Sequence, residues 1–598
     1  MFRLWSPEAS LPARGKRMPK LIPSLILLAY LLVTLLIGFR FRKQASTSID
    51  EFYLAGRNLS PLILFFTMMA TNFSAFTIFG LSGAGYRIGY AFYPVMGFGT
   101  GFMALSFFLI GIKILRLSKD RGYITPSDFI SDRYRSPLLR LVFSGVLVLF
   151  TLPYIAIQTI ASGKTLHSLI GLPYLAAAVL ITVFITLYVG LGGLRSIAWT
   201  DVIQGAMILV FTVAAFVIIV RGAGGFTAVN RALLQSDPGH FSRPGAGGAF
   251  PPGIWFGYFV LWFFADPMFP QLFQRFMAAR DEGSLQWTVI LYPLVCTFLF
   301  FFTVAIGVIG KYMFPDLAVE QTDAVFPLLL NRYAGQVLSA LLLTGSIAAL
   351  MSTLDSQLLT VSSIIIRDIP SRRFKSNAFR RFLIVIIALS GLLIALNPPA
   401  TILEFINKTS FNGLAVLAPT VIGGLYWRGG NRYGALASIA SGELMVVLFY
   451  FDVLASPQLL PVVPIMLTSF VVYALVSRLT GLSRASCASC ASSVARVAVT
   501  NLTGPAENNP RAAQTSVEQN SSAQNPAAEN TAIVFPLHRR NFLWAGVFGL
   551  FLVLGNDFWN WGTTRPLWFG LPGWIWYFIL LGLLLSGAFA LYSRRGPA

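Results

Sequence analysis

Charge is what this chain has least of. Asp, Glu, Lys and Arg make up only 11% of its 598 residues, against 56% hydrophobic side chains and a mean hydropathy of +0.71. Soluble globular chains carry about a quarter charged residues, so this balance excludes a soluble protein and implies an integral membrane one. Cysteine is nearly absent. Cys296 sits in an apolar run as an ordinary core thiol, while Cys487 and Cys490 form a C-x-x-C within ASCASCASS, with no second pair and no nearby His. That excludes a disulfide framework and argues against a zinc or redox site. The three histidines, His167, His240 and His538, are scattered through connections, and no GxGxxG, Walker, HExxH or EF-hand pattern lies on a soluble domain. These shortages speak against an enzyme and against an organic cofactor. Acid is scarcer than base, which leaves a formal charge of +21. The bases fall in short loops between apolar runs, where the positive-inside rule accounts for them without nucleic acid.

What the chain has in abundance is apolar runs long enough to cross about 30 Å of hydrocarbon. They fall near 21–38, 59–86, 88–112, 141–163, 170–194, 202–220, 254–276, 287–310, 336–366, 382–399, 407–427, 433–451, 457–477, 541–556 and 566–592. The run at 541–556 is short enough to be interfacial or re-entrant. The organisation expected is a tail (1–20), a first span and loop (21–58), a five-span unit (59–220), an outside loop (221–253), a second five-span unit (254–427), two further spans (428–482), a disordered linker (483–540) and one or two final spans (541–598). Basic clusters alternate along the connections: Arg40 to Arg57, Lys113 to Arg135, Arg195, Arg275 with Arg280, Arg367 to Arg381, and Arg428 with Arg432. Placing these inside puts the N terminus outside and the C terminus in the cytoplasm of a cell-membrane protein. The tail contradicts this with five bases; either the other loops outvote it or translation starts at Met18, the reading favoured here.

Two runs look interrupted. FFTMMATNFSAFTIFGLSGAG carries Thr71, Asn72 and Ser74 in its middle, and IWFGYFVLWFFADPMFPQLFQRF carries Asp266, Pro267 and Pro270 in its second half. Prolines three apart remove backbone donors and clash with preceding carbonyls, and the groups left unpaired must face protein, water or a ligand. These are the second and seventh spans. Broken helices five spans apart are the sequence sign of an all-α, five-plus-five inverted-repeat transporter of the leucine-transporter type, which binds solute and ions at the breaks.

A third run, 336–366, contains AALMSTLDSQLLTVSS. At about 100° per residue, Ser352, Asp355, Ser356 and Ser363 share one face, with Thr353 and Gln357 beside it. Burying Asp355 costs about 2.5–3.5 kcal/mol even on the lenient insertion scale, so it needs a partner. Hydroxyl and carbonyl oxygens without His or Cys suit a hard cation such as Na+.

With DEFYLAGRNLSP, ATNFSAFTIFGLSGAGY, GGLRSIAWTDVIQG, LFQRFMAARDE and AALMSTLDSQLL in view, the chain resembles the sodium/solute symporter family, which includes sodium-coupled proline, pantothenate, monocarboxylate, sialic acid and sugar carriers. The resemblance spans about residues 50–481. It implies sodium-coupled uptake of a small organic solute, such as an amino acid or a carboxylate, by alternating access. It also implies a principal sodium site formed by carbonyls of Ala70, Phe73 and Ala349 with hydroxyls of Ser352 and Thr353. Asp201, Asp355 and Ser356 would form a second ion site or exit path. Asp355 could bind a second Na+, carry a proton or pair with a base, and those readings stay open. For the solute, the breaks offer Asn72, Ser74, Trp262, Phe263, Phe264 and Asp266, with Asn412 opposite; rings with a few polar groups make a usual small-molecule site. Arg87 reads as a solvated loop residue, Glu404 with Lys408 as a helix-end pair, and Glu443 as a hydrogen-bonded structural acid. Proton coupling is the main variant; a transporter-like sensor is the other, disfavoured because no signalling domain follows the last span.

Overall fold

The computed structural model describes residues 21–368, 376–397, 401–481 and 539–594, and the chain there is almost entirely helical. The tail, the Cys487–Cys490 pair and the 483–540 linker except its last two residues lie outside the described residues. Eleven described helices are long and apolar enough to cross a membrane, and the bent pair Pro61–Asn72 and Phe76–Ile88, 61° apart, makes a twelfth. The 49-residue helix Tyr174–Gly222 would be about 74 Å long, more than twice the hydrocarbon thickness. It is broken at Gly193, whose φ of 58° and ψ of −162° lie in a region essentially reserved for glycine. The run 254–276 is also segmented, into Pro252–Ala265, a turn at Asp266–Met268, and Pro270–Ala278.

Both breaks have local causes. After Asn72 the backbone of Phe73 swings to φ −85°, ψ 90°. The amides freed beyond it are caught by side chains: Ala75 N donates to Gln158 Oε1 at 3.0 Å and Phe76 N to Ser74 Oγ at 3.2 Å. At the second break Pro267 cannot donate, and Pro270 opens the next helix at a position where no donor is needed.

One unbroken helix, Gln336–Asp368, lies against Pro61–Asn72, Pro137–Ile170, Tyr174–Gly222 and Pro270–Ala278. It therefore meets both broken elements along its polar face. Helix Glu282–Met313 packs against Leu81–Ile88, Phe92–Ser106 and the C-terminal helix Gly573–Arg594. The connection 221–253 is not wholly irregular: Phe226–Ser236 is helical, with Val229, Asn230 and Leu233 buried at helical spacing. Helix Arg539–Asn556, short on sequence grounds, pairs with Gly573–Arg594 as a hairpin. Arg243 pins this hairpin to the loop; its guanidinium is 2.6 Å from Asp557 and 5.1–5.5 Å from the rings of Trp255, Trp561, Trp574 and Phe578.

Helices in lipid gain little from apolar contact alone and approach closely where residues are small. A Cβ at Gly307 would stand 2.0 Å from the Ser82 carbonyl oxygen, and one at Gly85 2.4 Å from that of Val304. Gly307→Ala must push the two helices apart and is expected to cost about 1–3 kcal/mol. That would appear as a lower thermal unfolding midpoint of the purified protein; an unchanged midpoint would mean the crossing can relax freely.

Candidate functional site

The polar stripe of Gln336–Asp368 faces the C-terminal end of Pro61–Asn72, where carbonyls lose their helical partners. Ser352 Oγ lies 2.7 Å from the Ala70 carbonyl oxygen and 2.9 Å from that of Ala349. Thr353 Oγ1 lies 3.0 Å from the Thr71 oxygen and 3.5 Å from that of Ala349. All of these residues are fully buried. Five oxygens from two helices thus converge, each hydroxyl proton filling a place a cation could take. They include the Thr71 carbonyl, which the sequence expectation did not name, where it had named that of Phe73. The Phe73 ring packs on Tyr292 and Phe300, 5.9 and 5.1 Å away.

Next to the cage sits an arginine. Arg275 belongs by sequence to a basic loop cluster, yet it is fully buried on Pro270–Ala278. Its guanidinium donates to Asp201 Oδ2 at 3.1 Å, Ser356 Oγ at 2.6 Å, Thr67 Oγ1 at 2.8 Å and the Gln271 carbonyl at 3.0 Å. Thr67 also donates to Asp201. One side chain therefore ties together both broken helices, Tyr174–Gly222 and Gln336–Asp368. Asp355 has no direct bond to it: Tyr188 donates to its Oδ2, and Ser356 Oγ is 3.1 Å from Oδ1. The guanidinium nearest this group is thus paired with Asp201, and Asp355 is bonded by neutral hydroxyls. Thr71 joins cage and arginine, since its hydroxyl is 3.0 Å from Ser356 Oγ while its carbonyl meets Thr353. Lower on the same face, Thr360 and Ser363 bond Gln274, at 2.5 and 3.2 Å, whereas neither amide atom of Gln357 has a partner among the described residues.

The two breaks meet. Asn72 Nδ2 lies 3.2 Å from Asp266 Oδ2 and 2.5 Å from the Tyr292 hydroxyl. Ser74 Oγ is 3.3 Å from the Tyr154 hydroxyl. Trp262 is near Phe76 and Phe411, with ring centres 5.8 and 5.3 Å away. Asn412 is buried beside Phe411 on Phe411–Ala415. Phe263 is not part of this group: it packs outward on Phe102, 6.0 Å away, and Phe264 on Phe470, 5.3 Å away. Tyr154, Phe269, Tyr292 and Phe411 carried no polar pattern that would single them out in sequence. Arg275 had one available signal, its place inside LFQRF, five residues past a helix-opening proline.

Two peripheral expectations change, and a third falls on a side chain outside the described residues. Arg87 is held by Thr322 and by Asp323 at 3.4 Å rather than solvated. Glu443 is not hydrogen-bonded; neither of its oxygens has a partner among the described residues. The Glu404–Lys408 pair depends on a Lys408 side chain outside the described residues.

Two broken helices gathered around one straight polar helix define an inverted-repeat transporter, and the comparisons narrow the class. Residues 52–442 match the model of the sodium:solute symporter family. The chain belongs to that family, and it is a sodium-coupled secondary active symporter of a small organic solute, not an enzyme. It is 29% identical over 467 residues to the sodium/pantothenate symporter of Escherichia coli, covering 76% of this chain and 95% of that one. It is 26% identical over 473 residues to the osmoregulated proline transporter OpuE of Bacillus subtilis, covering 75% and 93%. A solved Na+-coupled sialic acid symporter in a substrate-bound outward-open state shares the fold, with a TM-score of 0.64, 18% identity and coverage of 77% and 98%.

Asp201→Asn would leave the Arg275 charge buried without its counterion, a loss of about 3–5 kcal/mol. The unfolding midpoint should fall sharply and recover in part when Arg275→Gln is added. Equal midpoints for the single and double variants would show that the two groups share no energy.

Proposed function

We propose that one Na+ binds where Ser352 and Thr353 reach the end of the first broken helix, and that its binding assembles the adjacent solute pocket. The supporting observation is the convergence of those two hydroxyls on the carbonyls of Ala70, Thr71 and Ala349 across a helix interface, within 2.7–3.5 Å. Phe73, whose backbone turns at the same point, completes the ligand set as an adjacent carbonyl. A hard cation takes oxygens at about 2.3–2.6 Å, so Na+ would be held by the lone pairs of the two hydroxyls, whose O–H bonds turn away from the carbonyls, and would draw Pro61–Asn72 onto Gln336–Asp368. Asn72, Ser74, Trp262, Asp266 and Asn412 then face the solute, and the two broken elements rock against the remaining helices to open the inside. The relatives that carry pantothenate and proline support a solute of that size. One positive charge entering down 100 mV supplies about 2.3 kcal/mol, roughly 50-fold accumulation before the sodium gradient is counted.

The place beside the cage, among Asp201, Asp355 and Ser356, is filled in this reading by the Arg275 guanidinium as a fixed cation. Coupling is then to a single Na+ and sodium activation is hyperbolic. The orientation that agrees with the basic loops has the N terminus outside and the C terminus in the cytoplasm.

In proteoliposomes, Ser352→Ala with Thr353→Ala should raise the half-saturating Na+ concentration of uptake about tenfold or more, since a bond to a charged group contributes about 1.5–3 kcal/mol. An unchanged value would remove the cage. A sigmoid sodium dependence in the unaltered protein would remove the single-ion reading.

A further inference from the structure

The second break holds a carboxylate that no basic side chain pairs with among the described residues. Asp266 is 2% exposed. Its Oδ2 accepts from Asn72, a neutral donor, and its Oδ1 has no partner among the described residues. By contrast the buried acids Asp201 and Asp557 each face an arginine. An intramembrane acid without a counterion is costly and marks a functional site. Its surroundings favour positive charge further. Helix Pro252–Ala265 ends at Asp266, so its last carbonyls and the negative end of its dipole point here.

Aromatic rings, whose faces carry negative charge, flank Asp266 along the chain and pack on one another. Trp262 lies one turn before Asp266 and Phe269 three residues after it. The Phe269 ring is 5.0 Å from Phe411 and 5.6 Å from Tyr154, and Trp262 meets Phe76 and Phe411. Trp262 Nε1, also buried, has no acceptor among the described residues. An acid and a cluster of aromatic faces at one helix end form the combination that holds an ammonium group, by charge on one side and cation–π attraction on the other. The unpaired indole N–H adds a donor for an oxygen of the same molecule.

We propose that the solute carries a protonated or quaternary amine, seated on Asp266 among Phe76, Trp262, Phe269, Phe411 and Tyr154, and that amine-free anions are rejected there by like charge. This rests on the sodium-symport reading above and specifies its solute. Na+ and the ammonium then occupy the carbonyl ends of the two broken helices, one cation at each.

The test uses purified full chain and isosteric pairs differing only in the cationic nitrogen: L-proline against cyclopentanecarboxylate, glycine betaine against 3,3-dimethylbutanoate, and choline against 3,3-dimethylbutan-1-ol. The thermal midpoint is read with and without NaCl. An amine probe should raise the midpoint in sodium while its isostere does not, and Asp266→Asn should weaken that probe about tenfold or more while the response to sodium alone reports a folded protein. Isosteres acting as well as the amines, an amine response intact in Asp266→Asn, or no amine response beside a normal sodium response would each overturn the assignment. So would uptake driven by a pH gradient and indifferent to the ammonium, which would make Asp266 a proton carrier. Loss of the sodium response itself would instead strike the symport reading.

Discussion

A helix that ends inside hydrocarbon leaves carbonyls with no water to bond, and this protein meets that constraint with a second helix. The orphaned carbonyls of Pro61–Asn72 are met by Ser352 and Thr353, side chains that would be liabilities anywhere else on a membrane span. Each side needs the other. Without the hydroxyls the break would expose backbone to lipid or to packed carbon, and without the break the hydroxyls could only fold back onto their own helix. In the proposed sodium site, a cation that takes the place of the two hydroxyl–carbonyl hydrogen bonds would change how strongly the helices hold together without requiring either to refold.

The arginine next to it makes the arrangement a linked unit. Arg275 comes from the second broken helix and reaches Thr67 of the first, Asp201 of a scaffold helix and Ser356 of the straight helix. Thr71 takes part in both the cage and this network. A shift of the first broken helix where it meets Ser352 and Thr353 is therefore felt by groups that also fix the second one. A fixed guanidinium keeps two buried acids from facing each other uncompensated, at the desolvation cost any buried ion pair carries.

The elements that were legible in sequence were those with a local signature. Two prolines three apart, a Thr-Asn-Phe-Ser interruption and a stripe of hydroxyls at helical spacing each state their meaning within one or two turns, and the five-span interval between breaks states the repeat. What escaped was pairing at a distance. Arg275 counted as a loop base because it ends an apolar run, and Glu443 as a bonded acid because buried acids usually are. Phe263 and Trp262 are neighbours in the chain, but one faces Phe102 and the other the break; adjacent helical residues point about 100° apart, and the sequence does not mark which face meets which helix.

By itself, then, the sequence determined that the chain lives in a bilayer, where its helices break, which helix bears the polar face and which family it resembles, because composition, proline chemistry and helical period act locally. Only the tertiary structure decided that the Thr71 carbonyl meets Thr353, that Arg275 bonds Asp201 and Ser356, and that Asp266 pairs with no base among the described residues. Those outcomes depend on which helices touch, and that is set by packing among segments up to about three hundred residues apart in the chain, such as Thr71 and Ser356.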